Sequence, residues 1–206
     1  MRGALIVLEG CDRAGKSTQA KLLCEALRAK GYRTVPMKFP NRDSPTGKLL
    51  ELHLKGMELH PRAAQLIFSA NRWEEKDNIE ELLDSGAYVV CDRYVHSGAV
   101  YARAIGAPPC MADVGLPAPD MVLFLDMPIG KLAERADYGD ERYENQRLQQ
   151  KARLGFMQFR KRCDVWYTFD AERSVEEISS AILREVEMRL PYIGARRVLD
   201  MKSLVM

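Results

Sequence analysis

A short glycine-rich stretch near the start of the chain, residues 10–18, constrains the fold more than any other feature. It has the sequence Gly-Cys-Asp-Arg-Ala-Gly-Lys-Ser-Thr and fits the pattern Gly-x4-Gly-Lys-Ser/Thr. The apolar run 4–8 before it predicts a buried strand, and apolar residues recur at helical spacing after it. Such a loop binds phosphate when a strand precedes it and a helix follows it. The stretch therefore predicts a nucleotide-binding loop, whereas a chance match would be an ordinary glycine-rich turn.

The chemistry of this loop comes from its backbone and from two side chains. Glycines let successive N–H groups point inward, and the following helix adds its unpaired N–H groups and its positive dipole end. Lys16 can reach the β- and γ-phosphates of a nucleotide, and the hydroxyl of Ser17 can ligate Mg²⁺. Together these groups predict a site for a nucleotide and its metal ion.

The composition is that of one globular domain. The chain has 206 residues, of which 47% are hydrophobic and 29% are charged, and this is enough for a substantial core. The net charge of +2 gives no reason to expect nucleic acid or an anionic membrane as a partner. No apolar stretch reaches the ~18 residues that a membrane span needs. We therefore expect a protein that binds neither nucleic acid nor membrane.

The cysteines and the N-terminus predict the compartment. Five cysteines, scattered and without a Cys-x-x-Cys pair, indicate reduced thiols in an intracellular protein. The chain enters a strand within a few residues, so we expect no signal peptide and a cytoplasmic location, with the nucleus as a second location for a eukaryotic protein. Cys11 is the exception among the thiols, because its place beside a helix N-terminus predicts a reactive group.

Alternating apolar and amphipathic segments predict an α/β protein with a parallel sheet covered on both faces. The predicted strands are 4–9, 34–39, 88–91, 121–126 and 165–169. The predicted helices are 16–29, 46–54, 61–73, 78–84, 94–104, 128–136, 145–162 and 175–190. Ligands bind at the carboxyl ends of parallel strands, where we find Glu9, Phe39, Asp92 and Asp126. Of these, Asp92 is expected to complete the Mg²⁺ site with Ser17, although it could instead pair with Arg93.

Arginines are frequent in the predicted loops. Bidentate guanidinium groups suit phosphate oxygens, and one nucleotide needs few of them, so their number predicts a phosphorylated donor and a phosphorylated acceptor. The residues concerned are Arg13, Arg42, Arg72, Arg93, Arg135 and Arg142. Phe68 and Arg72 lie at positions i and i+4 of a predicted helix, where a ring can stack on a base and a guanidinium can bind its edge. The alternative is a core phenylalanine beside a surface arginine.

Several segments together resemble those of thymidylate kinase, the enzyme that phosphorylates thymidine monophosphate (TMP). The matching residues are 8–19, 39–42, 68–73, 92–94, 97–98, 115–120 and 141–144. The resemblance implies the fold of P-loop nucleoside monophosphate kinases, with a five-stranded parallel sheet and helices on both faces. It also implies a single kinase domain, 1–190, in which the polar segment at about 135–144 forms a short lid. The segment 191–206 resembles nothing in that family and is expected to be a disordered tail or an interaction segment.

The resemblance also implies the reaction and its donor side. ATP is implied as the phosphoryl donor, Mg²⁺ as the cofactor and a homodimer as the assembly. The residues assigned to ATP are Gly10, Asp12, Arg13, Ala14, Gly15, Lys16, Ser17, Thr18 and Arg135. The expected catalytic residues are Asp12, Arg13, Lys16 and Asp92, and the expected metal ligands are Ser17 and Asp92. Arg135 matches a lid arginine that packs on adenine, and Arg13 marks the eukaryote-like type, in which the catalytic arginine lies in the phosphate loop.

The acceptor side follows from the same resemblance. The residues assigned to TMP are Asp12, Phe39, Arg42, Phe68, Arg72, Arg93, Ser97, Gly98, Tyr101 and Tyr143. Asp12 matches a contact to the 3′-hydroxyl, and Arg42 and Arg93 match ligands of the acceptor phosphate. Tyr101 and Tyr143 match two residues on the sugar side.

The resemblance assigns recognition of the base to Phe68 and Arg72, and three alternative functions stay open. In the family, Phe68 matches the ring that stacks on thymine and Arg72 the residue that binds its carbonyl edge. The pair favours a pyrimidine but leaves deoxyuridine monophosphate as an alternative acceptor.

A GTP-dependent switch protein would carry Asn/Thr-Lys-x-Asp, which the sequence lacks. An inactive binding module is disfavoured by the intact catalytic set, and His96 is expected to be a spectator because phosphoryl transfer relies on positioning and charge.

Overall fold

A parallel sheet forms the centre of the protein. The computed structural model describes residues 2–107, 111–133 and 142–193. Its strands are β1 (Leu5–Gly10), β2 (Thr34–Lys38), β3 (Tyr88–Asp92), β4 (Met121–Asp126) and β5 (Trp166–Asp170). They form a 5-stranded sheet in the order β2-β3-β1-β4-β5, and each neighbouring pair is parallel. The predicted five-stranded parallel sheet is confirmed.

The central position of β1 determines where a ligand can bind. From β1 the chain moves to one side of the sheet for β2 and β3, and then to the other side for β4 and β5. The loop after β1 therefore opens where the strand order reverses, which is where open parallel sheets bind their ligands. Leu8 pairs with Asp92, so the carboxyl end of β3 lies beside this loop.

Helices cover both faces of the sheet. The described helices are α1 (Lys16–Ala29), α2 (Pro45–Leu54), α3 (Pro61–Trp73), α4 (Lys76–Asp84), α5 (Val95–Ala104), α6 (Ile129–Ala133), α7 (Gln146–Phe159) and α8 (Val175–Ile193). Successive side chains of a strand face opposite sides of a sheet. Ile6 and Leu8 of β1 pack in one apolar cluster with residues of α1 and α8. Leu5 and Val7 pack in a second cluster with residues of α4, so the predicted covering of both faces is confirmed.

The helix boundaries differ from the predicted ones where polar side chains cap the ends. α2 begins at Pro45, with Ser44 as its N-cap, because a proline needs no hydrogen-bond partner at the first helical position. α7 begins at Gln146, because Asn145 is the N-cap. α8 continues to Ile193 and so crosses the predicted boundary at residue 190. No described helix is both long and apolar enough to cross a lipid bilayer.

Part of the predicted lid lies outside the described residues. The undescribed lid residues are 134–141, which include Arg135. Residues 194–206, most of the predicted tail, also lie outside the described residues. The last lid residues, 142–144, are described, and they contact α2 and the loop after β1. The assignment of 1–190 to a single domain stays a prediction.

Candidate active site

The loop between β1 and α1 is shaped by residues with positive φ. Gly15, the N-cap of α1, has a φ of 96°, and Arg13 has a φ of 65°. Side chains with a Cβ rarely adopt the value seen at Gly15, so a glycine is needed where the chain turns into the helix. Lys16 begins α1, and its Nζ donates a hydrogen bond of 2.6 Å to the carbonyl oxygen of Cys11 across the loop. The ammonium group is therefore held inside the loop, where phosphates would lie.

Burial lowers the pKa of Lys16. The residue is only 5% exposed. Burial, with a smaller effect from the positive charge of Arg93, lowers the pKa of the Lys16 ammonium to about 8. Since an opposite charge favours the protonated form, the phosphates of a bound nucleotide would raise this pKa again.

Ser17 and Asp92 meet beside the loop. The hydroxyl of Ser17 donates a hydrogen bond to Oδ2 of Asp92 at the end of β3. The other carboxylate oxygen, Oδ1, is buried and has no hydrogen-bond partner among the described residues. A hydroxyl beside a carboxylate with an unpartnered oxygen suits a hard cation such as Mg²⁺. The alternative partner considered for Asp92, Arg93, instead forms its ion pair with Asp12.

The ion pair of Arg93 and Asp12 links β3 to the loop. Arg93 has a φ of 67°, and its Nη1 donates hydrogen bonds of 3.1 Å to the carbonyl of Gly10 and to Oγ of Ser97. Burial acts to raise the pKa of Asp12, but the positive charges of Arg93 and Lys16 outweigh it, so the pKa is lowered. The carboxylate of Asp12 is therefore ionised at neutral pH.

Gln149 of α7, which sequence reasoning missed, holds Asp12 from the opposite side. The side chain is fully buried. Its Oε1 accepts a hydrogen bond of 2.9 Å from the N–H of Asp12, and its Nε2 donates to Oδ2 of Asp12 and to the carbonyl of Tyr143. The hydroxyl of Tyr101 donates to the same Oδ2 at 2.9 Å. Gln149 lies on the same buried face of α7 as Phe156. Since a buried polar group needs a hydrogen-bond partner, a glutamine on this apolar face was the signal that could have indicated the contact.

Glu9 fixes the start of α5 from within β1. The sequence placed it at a strand end without giving it a role. Its side chain is fully buried and accepts hydrogen bonds of 3.0 Å from the N–H groups of Tyr94 and Ser97, and one of 2.5 Å from the hydroxyl of Ser97. Burial raises the pKa of Glu9 in spite of these bonds. The segment that carries Asp92 and Arg93 is thereby tied to the central strand.

Arg72 of α3 is buried and paired rather than solvated. Its guanidinium donates two hydrogen bonds, of 3.1 and 2.7 Å, to the carboxylate of Asp113, which also accepts one of 2.7 Å from Ser69. A Cβ on Gly98 would lie 2.6 Å from Nη2 of Arg72, so a larger residue there would require the guanidinium to shift. Phe68 and Arg72 both line the same cavity, and the burial of Arg72 contradicts the alternative in which it is a surface arginine. Asp113 was not predicted, because it lies in an irregular loop.

One cavity of about 570 Å³ joins these groups, a size suited to small-molecule ligands. Every predicted site residue in the described part of the chain lines it, except Gly10 and Ala14, which are buried. Arg135 lies outside the described residues. The cavity extends from the loop after β1 to the Phe68–Arg72 pair.

Two arginines of the loops have different partners. Arg13 pairs with Glu144 at 3.0 Å and lines the cavity. Arg142 does not belong to the lining residues, and its guanidinium donates to the carbonyls of His53 and Gly56 at 3.2 and 2.9 Å. Arg142 therefore attaches the end of the predicted lid to α2 and does not face the cavity.

The prediction that Cys11 carries a reactive thiol is wrong. Cys11 is 2% exposed, and its Sγ donates a hydrogen bond of 3.5 Å to the carbonyl of Gln149. Burial raises the pKa of Cys11 to about 12, so the thiolate that would react is not formed at neutral pH. His96 is also buried, beside Phe159 and Trp166, and it is not among the residues that line the cavity.

Comparison with known proteins gives one family. A family model described as thymidylate kinase matches residues 8–182. The human thymidylate kinase is 44% identical over 187 residues, which cover 88% of each chain, and that of Plasmodium falciparum is 40% identical over 191 residues, which cover 90% of each. The solved structure of thymidylate kinase from Candida albicans has a TM-score of 0.83 and 33% identity, and the match covers 91% of this chain and 92% of that one. This chain belongs to the thymidylate kinase family.

Proposed function

We propose that this protein transfers the γ-phosphoryl group of ATP to TMP, which gives ADP and thymidine diphosphate. The observation that carries the proposal is the cavity of about 570 Å³ in which the phosphate loop and the Phe68–Arg72 pair face a common space. A nucleotide kinase needs donor and acceptor to meet in this way, because proximity and orientation supply much of the rate. Membership of the thymidylate kinase family supports TMP as the acceptor.

On the donor side, the loop residues 10–18 bind ATP. Lys16 presents its ammonium inside the loop, and Arg13 lies at the same end of the cavity, held by Glu144. In the transition state, negative charge spreads over the oxygens of the transferring group, so cations placed there in advance lower the barrier.

Mg²⁺ would be held by Ser17 and Asp92. The buried, unpartnered Oδ1 of Asp92 supports this assignment. Mg²⁺ keeps several waters and takes few protein ligands together with substrate phosphates. In agreement, the described residues contain no group of three or more His, Cys, Asp or Glu that would hold a metal ion by themselves. When bound, the ion neutralises charge on the phosphate oxygens.

On the acceptor side, two arginines and the helical pair hold TMP. Arg42 and Arg93 bind its phosphate and offset the repulsion between the two phosphate groups. Phe68 stacks on the base and Arg72, oriented by Asp113, binds the edge of the base. The acceptor oxygen then attacks the γ-phosphorus in line with the leaving ADP oxygen.

The rest of the acceptor pocket contacts the sugar. Asp12 binds the 3′-hydroxyl, while Tyr101 and Tyr143 close the sugar side, and their ring centroids lie 5.9 Å apart. The lid at about 135–144 excludes water, which would otherwise receive the phosphoryl group. We further propose that residues 1–190 act as one domain and that the protein is a cytoplasmic homodimer, as the family resemblance implies.

The test is a panel of acceptors. Purified protein with ATP and Mg²⁺ is given TMP, deoxyuridine monophosphate and the other nucleoside monophosphates, and the diphosphates are separated and quantified. TMP should give the highest kcat/KM. Equal turnover of deoxyuridine monophosphate would identify the alternative acceptor, and ATP consumption that needs no acceptor would contradict the proposal.

A lysine pair provides the matched control. Lys16→Ala should abolish detectable turnover, because its charge acts on phosphates and not in the core. Lys21→Ala removes a lysine of the same helix whose side chain is 78% exposed, and it should leave kcat and KM unchanged.

A further inference from the structure

The C-terminal end of α2 is attached to the end of the lid by hydrogen bonds that the roles above do not use. The N–H of Arg142 donates to the carbonyl of Leu54 at 3.0 Å. The guanidinium of Arg142 donates to the carbonyls of His53, Gly56 and Met57 at 3.2, 2.9 and 3.2 Å. The last carbonyls of a helix have no partner within the helix, and the N–H of Arg142 satisfies that of Leu54, the last residue of α2.

His53, the next-to-last residue of α2, lies at the centre of this attachment. It is 2% exposed, with Nδ1 2.9 Å from the carbonyl oxygen of Met57 and Nε2 2.9 Å from the hydroxyl of Tyr143. A carbonyl oxygen can only accept, so Nδ1 carries the proton of the neutral ring. Nε2 is then an acceptor, and the hydroxyl of Tyr143 donates to it.

The ring of Tyr143 lies in the acceptor part of the cavity. Its centroid is 5.9 Å from that of Tyr101 and 6.4 Å from that of Phe68, and all three residues line the cavity. Tyr143 is held from two sides, because Gln149 binds its carbonyl at 2.8 Å and His53 binds its hydroxyl. With both ends held, the ring is placed before any ligand arrives, and a side chain that is placed in advance loses less entropy on binding.

We propose that His53 is a positioning residue, which holds the ring of Tyr143 against the acceptor nucleotide through the Nε2–hydroxyl contact. The inference rests on the proposed function, since it assumes that TMP occupies this part of the cavity. His53 itself does not line the cavity. It acts through Tyr143, so its loss should weaken the binding of TMP and leave the ATP site, at the other end, unchanged.

Two substitutions at His53 separate positioning from a merely structural role. The amide of asparagine reaches the place of Nδ1, so His53→Asn keeps the contact to Met57 and loses the contact to Tyr143. The longer glutamine reaches the place of Nε2, so His53→Gln keeps the contact to Tyr143 and loses the contact to Met57. Tyr143→Phe removes the same hydroxyl contact from the other side. His60→Asn, at an exposed N-cap, is the matched control.

Steady-state kinetics with each substrate varied, TMP titrations by calorimetry and thermal unfolding are measured for all variants. His53→Asn and Tyr143→Phe should raise KM and Kd for TMP by about three- to tenfold, the effect of one lost hydrogen bond. KM for ATP should stay within twofold, His53→Gln should stay near the parent, and the double variant His53→Asn/Tyr143→Phe should be no worse than the single ones.

These measurements distinguish failure of the proposed function from failure of the positioning role of His53. If the parent protein does not phosphorylate TMP, the proposed function fails and this inference fails with it. If the parent is active but His53→Asn and His53→Gln raise KM for TMP equally, or if the effects of His53→Asn and Tyr143→Phe add, only the positioning role is overturned. Equal weakening of ATP and TMP together with a lower Tm would overturn it as well, because it would indicate loss of structure in the whole cavity.

Discussion

Arg13 and Arg93 both lie at the phosphate loop, but the structure holds them differently. Arg13 has 30% of its side chain exposed and pairs with Glu144. Arg93 is 15% exposed, pairs with Asp12 and also donates to the carbonyl of Gly10. A guanidinium that is hydrogen-bonded to the backbone suits binding of a phosphate in the ground state. A more exposed guanidinium can reorient toward the transferring phosphoryl group as charge develops in the transition state.

We therefore expect the two arginines to affect different kinetic constants. Arg13→Ala should lower kcat by about 10³ or more, as other arginines at transferring phosphoryl groups do, with a small change in KM. Arg93→Ala should chiefly raise KM for TMP, because it removes a contact already made in the ground state. Steady-state kinetics and equilibrium binding of TMP to each variant measure the two effects.

Charge-conserving variants provide the control for this experiment. Arg13→Lys and Arg93→Lys keep the charge and lose the fork geometry, so each should fall between the parent and the alanine variant. If Arg13→Ala leaves kcat within a few-fold of the parent, the catalytic arginine lies elsewhere. Arg142 binds carbonyls of α2, so Arg135 would be the next candidate.

At the scale of elements, α3 and the loop after α5 are joined by polar contacts at the end of the cavity that Arg72 lines. Asp113 binds Arg72 and Ser69, and Nε1 of Trp73 donates to the carbonyl of Ala112 at 2.5 Å. The side chain of Arg72 is 4% exposed, so its charge depends on Asp113 for compensation. The loop thereby holds a side chain that the proposed function gives to base recognition.

Asp113→Ala should therefore lower the stability of the protein and weaken the binding of TMP. Removing the carboxylate leaves a buried guanidinium without its partner, and we expect a loss of about 2 kcal/mol in the free energy of unfolding. KM for TMP should rise and KM for ATP should not. Urea unfolding and steady-state kinetics measure both quantities. Asp113→Asn keeps one acceptor and should show a smaller effect, and an unchanged KM for TMP in Asp113→Ala would contradict the orienting role.

Apolar spacing predicted the strands and helices to within a few residues, because burial of one face is a local property of the sequence. The parallel arrangement followed from the alternation of the two. The contacts that complete the site were not predictable in this way, because they join residues far apart. Gln149 and Asp12 are separated by 137 positions, and Asp113 and Arg72 by 41. Neither Gln149 nor Asp113 belongs to a motif, so only the folded chain brings them to their partners.

At the scale of the whole molecule, His96 lies where α5, α7 and β5 meet. Its ring is 5.1 Å from that of Phe159 and 5.2 Å from that of Trp166, and Nδ1 is 3.9 Å from Oε1 of Glu9. Burial lowers the pKa of His96 to about 3, whereas an unfolded chain has a histidine pKa of about 6.5. The folded protein therefore leaves His96 neutral at pH values where the unfolded chain protonates it.

This difference gives stability a pH dependence with a definite sign. The folded pKa lies below the unfolded one, so the contribution of His96 is complete above about pH 6.5 and is lost as the pH falls toward 3. Between about pH 7 and about pH 5.5, the parent should lose about 1 kcal/mol more unfolding free energy than His96→Phe. Urea unfolding at both pH values measures it, with exposed His60→Asn as the control. A difference between parent and His96→Phe that is the same at both pH values would rule out a buried neutral histidine.

Three consecutive residues, 142–144, each contact a different part of the molecule. Arg142 binds the end of α2, Tyr143 lines the cavity beside Tyr101, and Glu144 pairs with Arg13 of the loop after β1. Neighbours in a chain cannot move independently, so if one nucleotide shifted this segment, the contacts available to the other nucleotide would change. The two binding equilibria would then be thermodynamically linked, and linkage is reciprocal: whatever factor ATP applied to the affinity for TMP, TMP would apply to the affinity for ATP.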